Sequence, residues 1–472
     1  MNKNQRKQLI KYLSGDYIAA NIIWFLVNIY RYDYIASSLG FANLTSYLFS
    51  GTVLTGQVVI PFFWLLLYYF SGYYNTPMRK SRLFELNKTL VSVEIGVLIV
   101  FFVIVVNDLP RDYHVYYQLI GLLFLGQFIL TYGIRALITQ NLTKKIHNRK
   151  IGFNTLIVGT GERALKLMRE LDSQPQSLGY LVKGLINLGK EPCAIKDKQV
   201  GKWDDIENII RKQDIEEIIV APDSTNEKEL FELLNDLYRH NLPIKAIASE
   251  NSVLSRSVRM SSIYATPMIE ITRDNMSEGE KNIKKVLDRI VAAFALLLLS
   301  PIFVWIAWKI KKGSPGNVFY LQERLGYRGK PFTIIKFRTM KMNAEGGGEP
   351  QLSCENDNRI TDIGKVMRKY RLDELPQFWN VLKGEMSLVG PRPERKFFVD
   401  QIVCKAPYYY QTFSVKPGIT SWGMVKYGYA NTVDKMIERL QYDLIYLENR
   451  SLSIDIKILI YTIRTIFTGK GI

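Results

Sequence analysis

The sequence predicts a membrane protein with soluble parts: a bundle of four spanning helices, a cytosolic Rossmann-like α/β domain, a re-entrant membrane helix and a C-terminal domain. Three observations carry this reading. Hydrophobic residues make up 47% of the 472 and are concentrated in the first 140 positions and in 290–308. β-Branched runs alternate with helical patterns through 151–248. A fifth apolar run, IVAAFALLLLSPIFVWIAW, holds a proline at its middle and has basic residues on both flanks.

Four apolar stretches come first, at 16–34, 52–74, 90–107 and 115–139, each near the ~20 residues that cross a hydrocarbon core. The start, MNKNQRKQLIKYLSGDY, has no small-residue cleavage pattern, so the first stretch is expected to stay as an anchor. Lys3, Arg6, Lys7 and Lys11 precede it, Arg79, Lys80, Arg82 and Lys88 sit at the second loop, and Lys144, Lys145, Arg149 and Lys150 follow the fourth stretch. The first and third loops hold only Arg31 and Arg111. The excess of basic residues marks the cytoplasmic side, which places both ends of the bundle there. Glu94, close to the cytoplasmic end of the third stretch, suits an interfacial or helix-pairing role.

Strands are expected at NTLIVGTG, LVKGLIN, IEEIIVAP and LPIKAIAS, and helices at ERALKLMRELDS, IENIIRKQD and EKELFELLNDLYRH. This alternation gives a small doubly wound domain. Its first turn, GTGERA, sets Gly159, Gly161 and Ala164 in a GxGxxA arrangement after a strand. Such a turn can bring phosphate to a helix N-terminus or simply pack helix on strand. The acidic residue that would bind ribose at the end of the second strand is missing, and Asn187 stands near that place, which favours packing. The chain also has no Tyr-x-x-x-Lys pair of the kind used beside a nicotinamide by nucleotide-sugar dehydratases. A polar connector, 249–285, leads to the fifth apolar run.

That run is flanked by Lys281, Lys284, Lys285 and Arg289 before it and by Lys309, Lys311 and Lys312 after it. A spanning helix would carry one cluster to the outer face, against the charge rule. Pro301 removes a backbone donor and kinks a helix, while Ser300 can satisfy a freed carbonyl. The Ser300-Pro301 break therefore predicts a bent helix that enters and leaves on the cytoplasmic face.

The remaining region, 309–472, carries 27 Lys and Arg against 16 Asp and Glu. Such a basic surface beside a membrane suits anionic headgroups and phosphorylated substrates. No helix-turn-helix, zinc-finger or RRM pattern accompanies the charge, so no nucleic-acid partner is expected. Cys193, Cys354 and Cys404 form neither a CxxC pair nor a disulfide framework. The last histidine is His240, which removes imidazole-based nucleophile schemes from the C-terminal region.

Asp373-Glu374 precedes Pro376 in a helical context, so the acidic pair is expected at a break. Side chains one apart on a helix point about 100° from each other, so the two carboxylates would do different work. Arg368, Arg371 and Arg392 bracket them, with Lys336 and Arg338 upstream, and cationic forks of this kind match phosphate oxygens. Two carboxylates among phosphate-binding cations suggest metal-assisted phosphoryl transfer. One would help hold Mg2+, and the other would attack phosphorus without needing a base.

RLDELPQFWNVLKGEMSLVGPRPE (371–394) closely resembles the signature of bacterial polyprenyl-phosphate hexose-1-phosphate transferases. These monotopic-type phosphoglycosyl transferases initiate surface polysaccharides such as exopolysaccharide, capsule or O-antigen. The match extends to QER (322–324), KFRTM (336–340), KPGIT (416–420) and DLIYLENRSLSIDIKIL (443–459), and so covers about 280–472. The four helices with an α/β module resemble the large members of that family.

The resemblance implies a mainly α catalytic domain at 313–472, preceded by a transmembrane domain at 1–150, the α/β domain at 151–275 and the re-entrant hairpin at 276–312. It implies Asp373 as nucleophile on the β-phosphate of a UDP-sugar, Glu374 on Mg2+, and Arg368 and Arg392 on phosphates, supported by Lys336 and Arg338. Polyprenyl (undecaprenyl) phosphate would then take the sugar phosphate, with UMP released first. An inner-membrane enzyme with a cytoplasmic active site, working as a homodimer, is implied as well. Ser421 and Met424 depart from the family's usual glycine and glutamine and leave the sugar open, glucose and galactose being suggested by architecture. The reading of a different class is a non-catalytic, nucleotide-sensing assembly protein. The segment SIDIKILIYTIRTIF is expected either at the interface or in the core.

Overall fold

The computed structural model describes residues 2–34, 40–103, 113–189, 200–223, 227–247, 268–271, 274–342, 344 and 357–467. Arg111, Cys193, Cys354 and much of the connector 249–285 lie outside them. The chain forms two compact units, Met1–Ile151 with Ser277–Ile283, and Gly152–Met276 with Lys284–Ile472.

The first unit holds α1 (Lys3–Tyr34), α2 (Leu44–Leu48), α3 (Gly51–Phe70), α4 (Arg82–Val103) and α5 (His114–His147). α1 packs on α3 and α5, and α4 on α5. Among the described residues α3, α4 and α5 are long and apolar enough to cross a membrane. The expected first span lies inside α1, whose Asp16, Asn21, Asn28 and Arg31 lower its hydropathy. The bundle core is Tyr12, Trp24, Trp64, Tyr68, Val93, Val97, Leu119 and Leu123. A charged pair is embedded in it. The Arg135 guanidinium donates to both oxygens of Asp16, each at 2.8 Å, and both residues are fully buried. Tyr74 donates to Asp16 at 2.7 Å, and Glu85 accepts from Thr139 at 2.7 Å. Such a pair is tolerated in apolar surroundings because each charge has its partner and its hydrogen bonds. Glu94, the acidic group singled out in the sequence, is exposed on α4.

In the second unit a six-stranded sheet runs in the order β3-β2-β1-β4-β5-β6. β1 (Phe153–Val158), β2 (Tyr180–Asn187), β3 (Val200–Lys202), β4 (Glu217–Val220) and β5 (Ile244–Ile247) are parallel, and β6 (Met268–Glu270) is antiparallel. Period-two alternation buries both faces. Leu156 and Val158 of β1 join one core with Ile206, Leu233 and Leu237, while Ile157 joins the other with Ala164, Leu167 and Met168. Those partners come from α6 (Glu162–Ser173), α7 (Ile206–Lys212) and α8 (Glu227–Tyr238), so helices cover both faces as expected. The sequence patterns marked four of the six strands. β3 and β6 are three residues each, too short for a periodic signal.

α9 (Glu278–Leu298) and α10 (Ser300–Gly313) are bent by 60° at Leu299, with Pro301 in the first turn of α10. Ser300 Oγ donates to the Leu297 carbonyl at 2.8 Å, which serves one of the acceptors freed by the break. Both arms pack against the C-terminal domain. Ala292 of α9 lies with Ile334, Val381, Leu388 and Ile458, and Ile306 and Ile310 of α10 lie with Phe337, Met367 and Leu375. Between those contacts Leu297 and Val304 are exposed.

The C-terminal domain opens with the hairpin of β7 (Phe319–Leu325) and β8 (Pro331–Phe337), turned through Arg328 and Gly329 at positive φ. α11 (Asp362–Lys369), α12 (Gln377–Lys383), α13 (Lys396–Lys405), α14 (Trp422–Lys426), α15 (Val433–Glu448) and α16 (Leu452–Phe467) follow. A two-stranded parallel pair of β9 (Ser387–Val389) and β10 (Gly418–Thr420) lies among them. α16 buries Asp455 and Ile458 and exposes Ile456, Ile460, Ile463 and Phe467, so the segment expected at the interface or in the core has one face of each kind.

Candidate active site

Asp373 and Glu374 lie on a single turn of 3-10 helix, Leu372–Glu374, entered through Arg371 in the left-handed region at φ 53°. The expected break is there, and the Leu372 carbonyl accepts from the Leu375 amide at 3.3 Å. Pro376 and α12 follow directly. Asn380 of α12 locks this stretch to β8 by accepting from the Ile335 amide at 3.1 Å and donating to the Thr333 carbonyl at 2.7 Å. That bond sets β8, and with it Lys336, beside the acidic turn.

Arg392 arrives from a different direction. β9 runs into Gly390-Pro391-Arg392, and its pairing with β10 needs backbones in close approach. A Cβ on Gly390 would sit 2.4 Å from the Lys416 carbonyl oxygen, and one on Gly418 would sit 2.2 Å from the Gly390 nitrogen. The glycines of VGPRP and KPGIT therefore serve the geometry that carries Arg392 to the site.

Glu374 is the electrostatic centre. Its Oε1 accepts from Lys336 Nζ at 3.0 Å and from an Arg392 NH group at 3.3 Å, and Arg371 lies 3.7 Å from Oε2. Burial alone would raise its carboxyl, but Lys336, Arg392 and Arg371 hold it well below the usual carboxylate range. Burial lowers the Lys336 ammonium, partly offset by Glu374, whereas Arg392 is held up by Glu374 and Glu394 against its own burial. Asp373 behaves oppositely. Burial and the neighbouring Glu374 charge push it up to about 6, against Lys336 and Arg368. Among the described residues no side chain donates a hydrogen bond to it. The two carboxylates thus differ: one is ionised and held by cations, the other has no side-chain donor among the described residues.

The remaining expected residues divide. Arg371 contributes to Glu374 and has a buried Nε without a partner. Arg368 donates from Nε to Thr339 Oγ1 at 3.0 Å. Arg338 donates to the carbonyls of Pro315 at 2.7 Å and Ser314 at 2.8 Å, so its hydrogen bonds tie down the loop after α10 and do not go to the carboxylates. Met424 stands with its sulfur 3.1 Å from Arg392 and 3.9 Å from Arg371, and Ser421 caps α14 by accepting from the Met424 amide. The two positions that depart from the family pattern therefore lie at the site.

Sequence reading missed a supporting layer. Glu394, only 4% exposed, accepts from Arg439 at 2.6 Å and from Arg324 at 3.0 Å, with Arg392 Nε at 4.0 Å. Asp443 accepts from the Gly423 amide at 3.0 Å and so fixes the start of α14. Arg324 and Glu394 stand in the quoted QER and PRPE motifs. No local spacing joins them to Arg439.

The glycine turn of the α/β domain is already occupied. Asp223 accepts from the Glu162 amide at 2.5 Å and the Arg163 amide at 2.6 Å, which are the first N–H groups of α6. A Cβ on Gly161 would overlap that carboxylate. The anion at this helix N-terminus is the chain's own, in the position where a phosphate would bind.

Comparison with known proteins agrees with this geometry. A family described as bacterial sugar transferase matches residues 279–469, and one described as CoA-binding domain matches 68–248. A UDP-N-acetylgalactosamine-undecaprenyl-phosphate N-acetylgalactosaminephosphotransferase of Aeromonas hydrophila is 47% identical over 40% of this chain and 44% of its own length. UDP-glucose:undecaprenyl-phosphate glucose-1-phosphate transferases of Klebsiella pneumoniae and Escherichia coli are 32% and 33% identical, each over 68% of this chain and 70% of their own length. On matches of that extent, with the acidic turn and its cations in place, the chain belongs to the bacterial sugar transferases, in the group of polyprenyl-phosphate hexose-1-phosphate transferases.

Proposed function

We propose that the protein transfers a hexose 1-phosphate from a UDP-sugar to undecaprenyl phosphate, with Asp373 as the covalent nucleophile. The observation that carries this is the contrast within the acidic pair: Glu374 bound by Lys336 and Arg392, Asp373 with no side-chain donor among the described residues. An Asp373 oxygen attacks the β-phosphorus, the bond to the bridging oxygen breaks, and UMP leaves with that oxygen. A phosphate oxygen of undecaprenyl phosphate then attacks the same phosphorus and expels Asp373. Polyprenyl diphosphate-sugar forms and the carboxylate is restored. Arg392, Lys336 and Arg371 are placed to neutralise charge on the phosphates in both steps.

The donor set fits Mg2+. Among the described residues no group of three or more His, Cys, Asp or Glu forms a metal cage, but this ion is commonly held by one or two carboxylates with substrate phosphates and water. Among the described residues none donates a hydrogen bond to Glu374 Oε2, which is the oxygen available to the ion. Bound there, Mg2+ would supply charge neutralisation to the diphosphate.

The bundle lies in the inner membrane with its basic ends cytoplasmic, and α9–α10 is re-entrant. What supports re-entrance is that both arms pack on the one C-terminal domain while the residues at the bend are exposed and apolar. The product is the first lipid-linked sugar of a surface polysaccharide. Relatives act on UDP-glucose and on UDP-N-acetylgalactosamine, and one of Salmonella typhimurium is an undecaprenyl-phosphate galactose phosphotransferase. The test is UMP release from UDP-glucose, UDP-galactose and UDP-N-acetylgalactosamine with Mg2+ and undecaprenyl phosphate. Release with one sugar is expected. No release with any of these or other UDP-sugars would favour the assembly-protein reading.

A further inference from the structure

At the basic end of the helical bundle, where α1 begins and α5 ends, there is a cavity of about 150 Å3. Its lining includes Lys7, Gln8 and Lys11 of α1, Met78 of the α3–α4 loop, and Asn141 and Lys145 of α5. That space is several times what one water needs and is enough for a phosphate group with part of a headgroup.

Among the described residues no acidic side chain lines the cavity. The side chains of Lys7, Lys11 and Lys145 make neither an ion pair nor a hydrogen bond with any described residue, although three cations converge on one space. The bundle's buried acids are engaged elsewhere: Asp16 with Arg135 and Tyr74, Glu85 with Tyr73 and Thr139. Gln8, 7% exposed, also lines the cavity. Three lysine side chains converging on one space without an acidic partner point to an acceptor that is anionic.

We propose that this cavity binds the phosphate of an anionic phospholipid headgroup. The lipid, rather than a soluble phosphate, follows from what surrounds it. Ile10 and Leu137, on the same ends of α1 and α5, are 54% and 62% exposed and offer apolar surface to acyl chains. Lysines at headgroup depth attract anionic lipid. The inference rests on the membrane reading above and is independent of the transferase chemistry.

The experiment uses the full chain, purified in detergent and stripped of lipid, with phosphatidylglycerol, phosphatidylcholine or inorganic phosphate added. Native mass spectrometry counts retained lipid, and a thermal scan measures stabilisation. One phosphatidylglycerol per chain should be retained, with affinity on the order of 100-fold weaker in Lys7→Gln/Lys11→Gln/Lys145→Gln. The variant Lys3→Gln/Lys144→Gln/Lys150→Gln removes the same charge outside the lining and should retain the lipid. Single Lys145→Glu serves as a second cavity variant should the triple one not fold, and circular dichroism reports folding in every case. Equal losses in both triple variants, retention unchanged in the cavity variants, equal binding of phosphatidylcholine, or equal stabilisation by inorganic phosphate would each overturn the proposal. Absence of UMP release from the unsubstituted chain, with lipid retention intact, would instead count against the transferase reading.

Discussion

At the scale of single residues, two adjacent carboxylates in one turn are shifted in opposite directions. Three cations fix Glu374 as an anion, while burial and Glu374 itself raise Asp373. A group pushed up to about 6 is protonated below that pH and cannot attack phosphorus. The rate of UMP release in the first half-reaction should therefore fall about tenfold per pH unit below 6 and level off above it. Single-turnover measurements between pH 5 and 8 check this, and a flat profile would count against Asp373 as the attacking group. The acidic turn and its cations were legible as a cluster because these residues lie in one quoted motif or bear the charge that phosphate needs: Asp373, Glu374, Lys336, Arg371 and Arg392. Arg338 has the right charge, but its hydrogen bonds go to the Ser314 and Pro315 carbonyls. Glu394 and Arg439 were not legible as a pair, since 45 residues separate two side chains that meet only after α15 has packed. Asp16 and Arg135 illustrate the same limit within the bundle. Each is one polar residue in an apolar stretch until the fold pairs them across 119 positions.

Among the elements, the glycine turn shows why a short motif underdetermines function. GxGxxA placed a tight turn before α6 correctly, yet the helix N-terminus is met by Asp223, whose position three residues beyond β4 carries no local signature. The packing reading of Gly159 and Gly161 is supported, with a built-in anion in place of phosphate. Asp223→Ala should lower the stability of the α/β domain by about 1 kcal/mol, the usual cost of losing a helix N-cap acceptor. UMP release should stay near the unsubstituted level. Denaturant titration and the UMP assay measure the two effects, and an activity loss with stability intact would show that the turn serves catalysis. The fifth apolar run was better determined, because proline chemistry and flanking charge act locally. The 60° bend falls at Ser300-Pro301, with the serine hydroxyl bonded to Leu297.

Across the whole molecule, the proposed topology decides the side on which Asp373 would work. A re-entrant α9–α10 would keep the candidate active site on the face that sees UDP-sugar, whereas a spanning one would carry it across. Single cysteines at Lys281 and Lys312 in a background without Cys193, Cys354 and Cys404 should label from the cytoplasmic side alone. Labelling of the two from opposite sides would refute the topology. The α/β order and the bundle were readable from periodicity and hydropathy, both of which sum over many residues. β3, β6 and the β9–β10 pair were not, because three-residue strands are specified by their neighbours rather than by their own pattern.

The covalent step is open to one direct measurement. Purified protein is mixed with UDP-sugar labelled at the β-phosphate, without lipid acceptor, and the denatured protein is counted. Label should remain on the unsubstituted chain and be discharged by undecaprenyl phosphate. Asp373→Asn should carry none and should lose turnover by on the order of 1000-fold or more. Near-normal turnover in Asp373→Asn, or label retained by it, would contradict the mechanism.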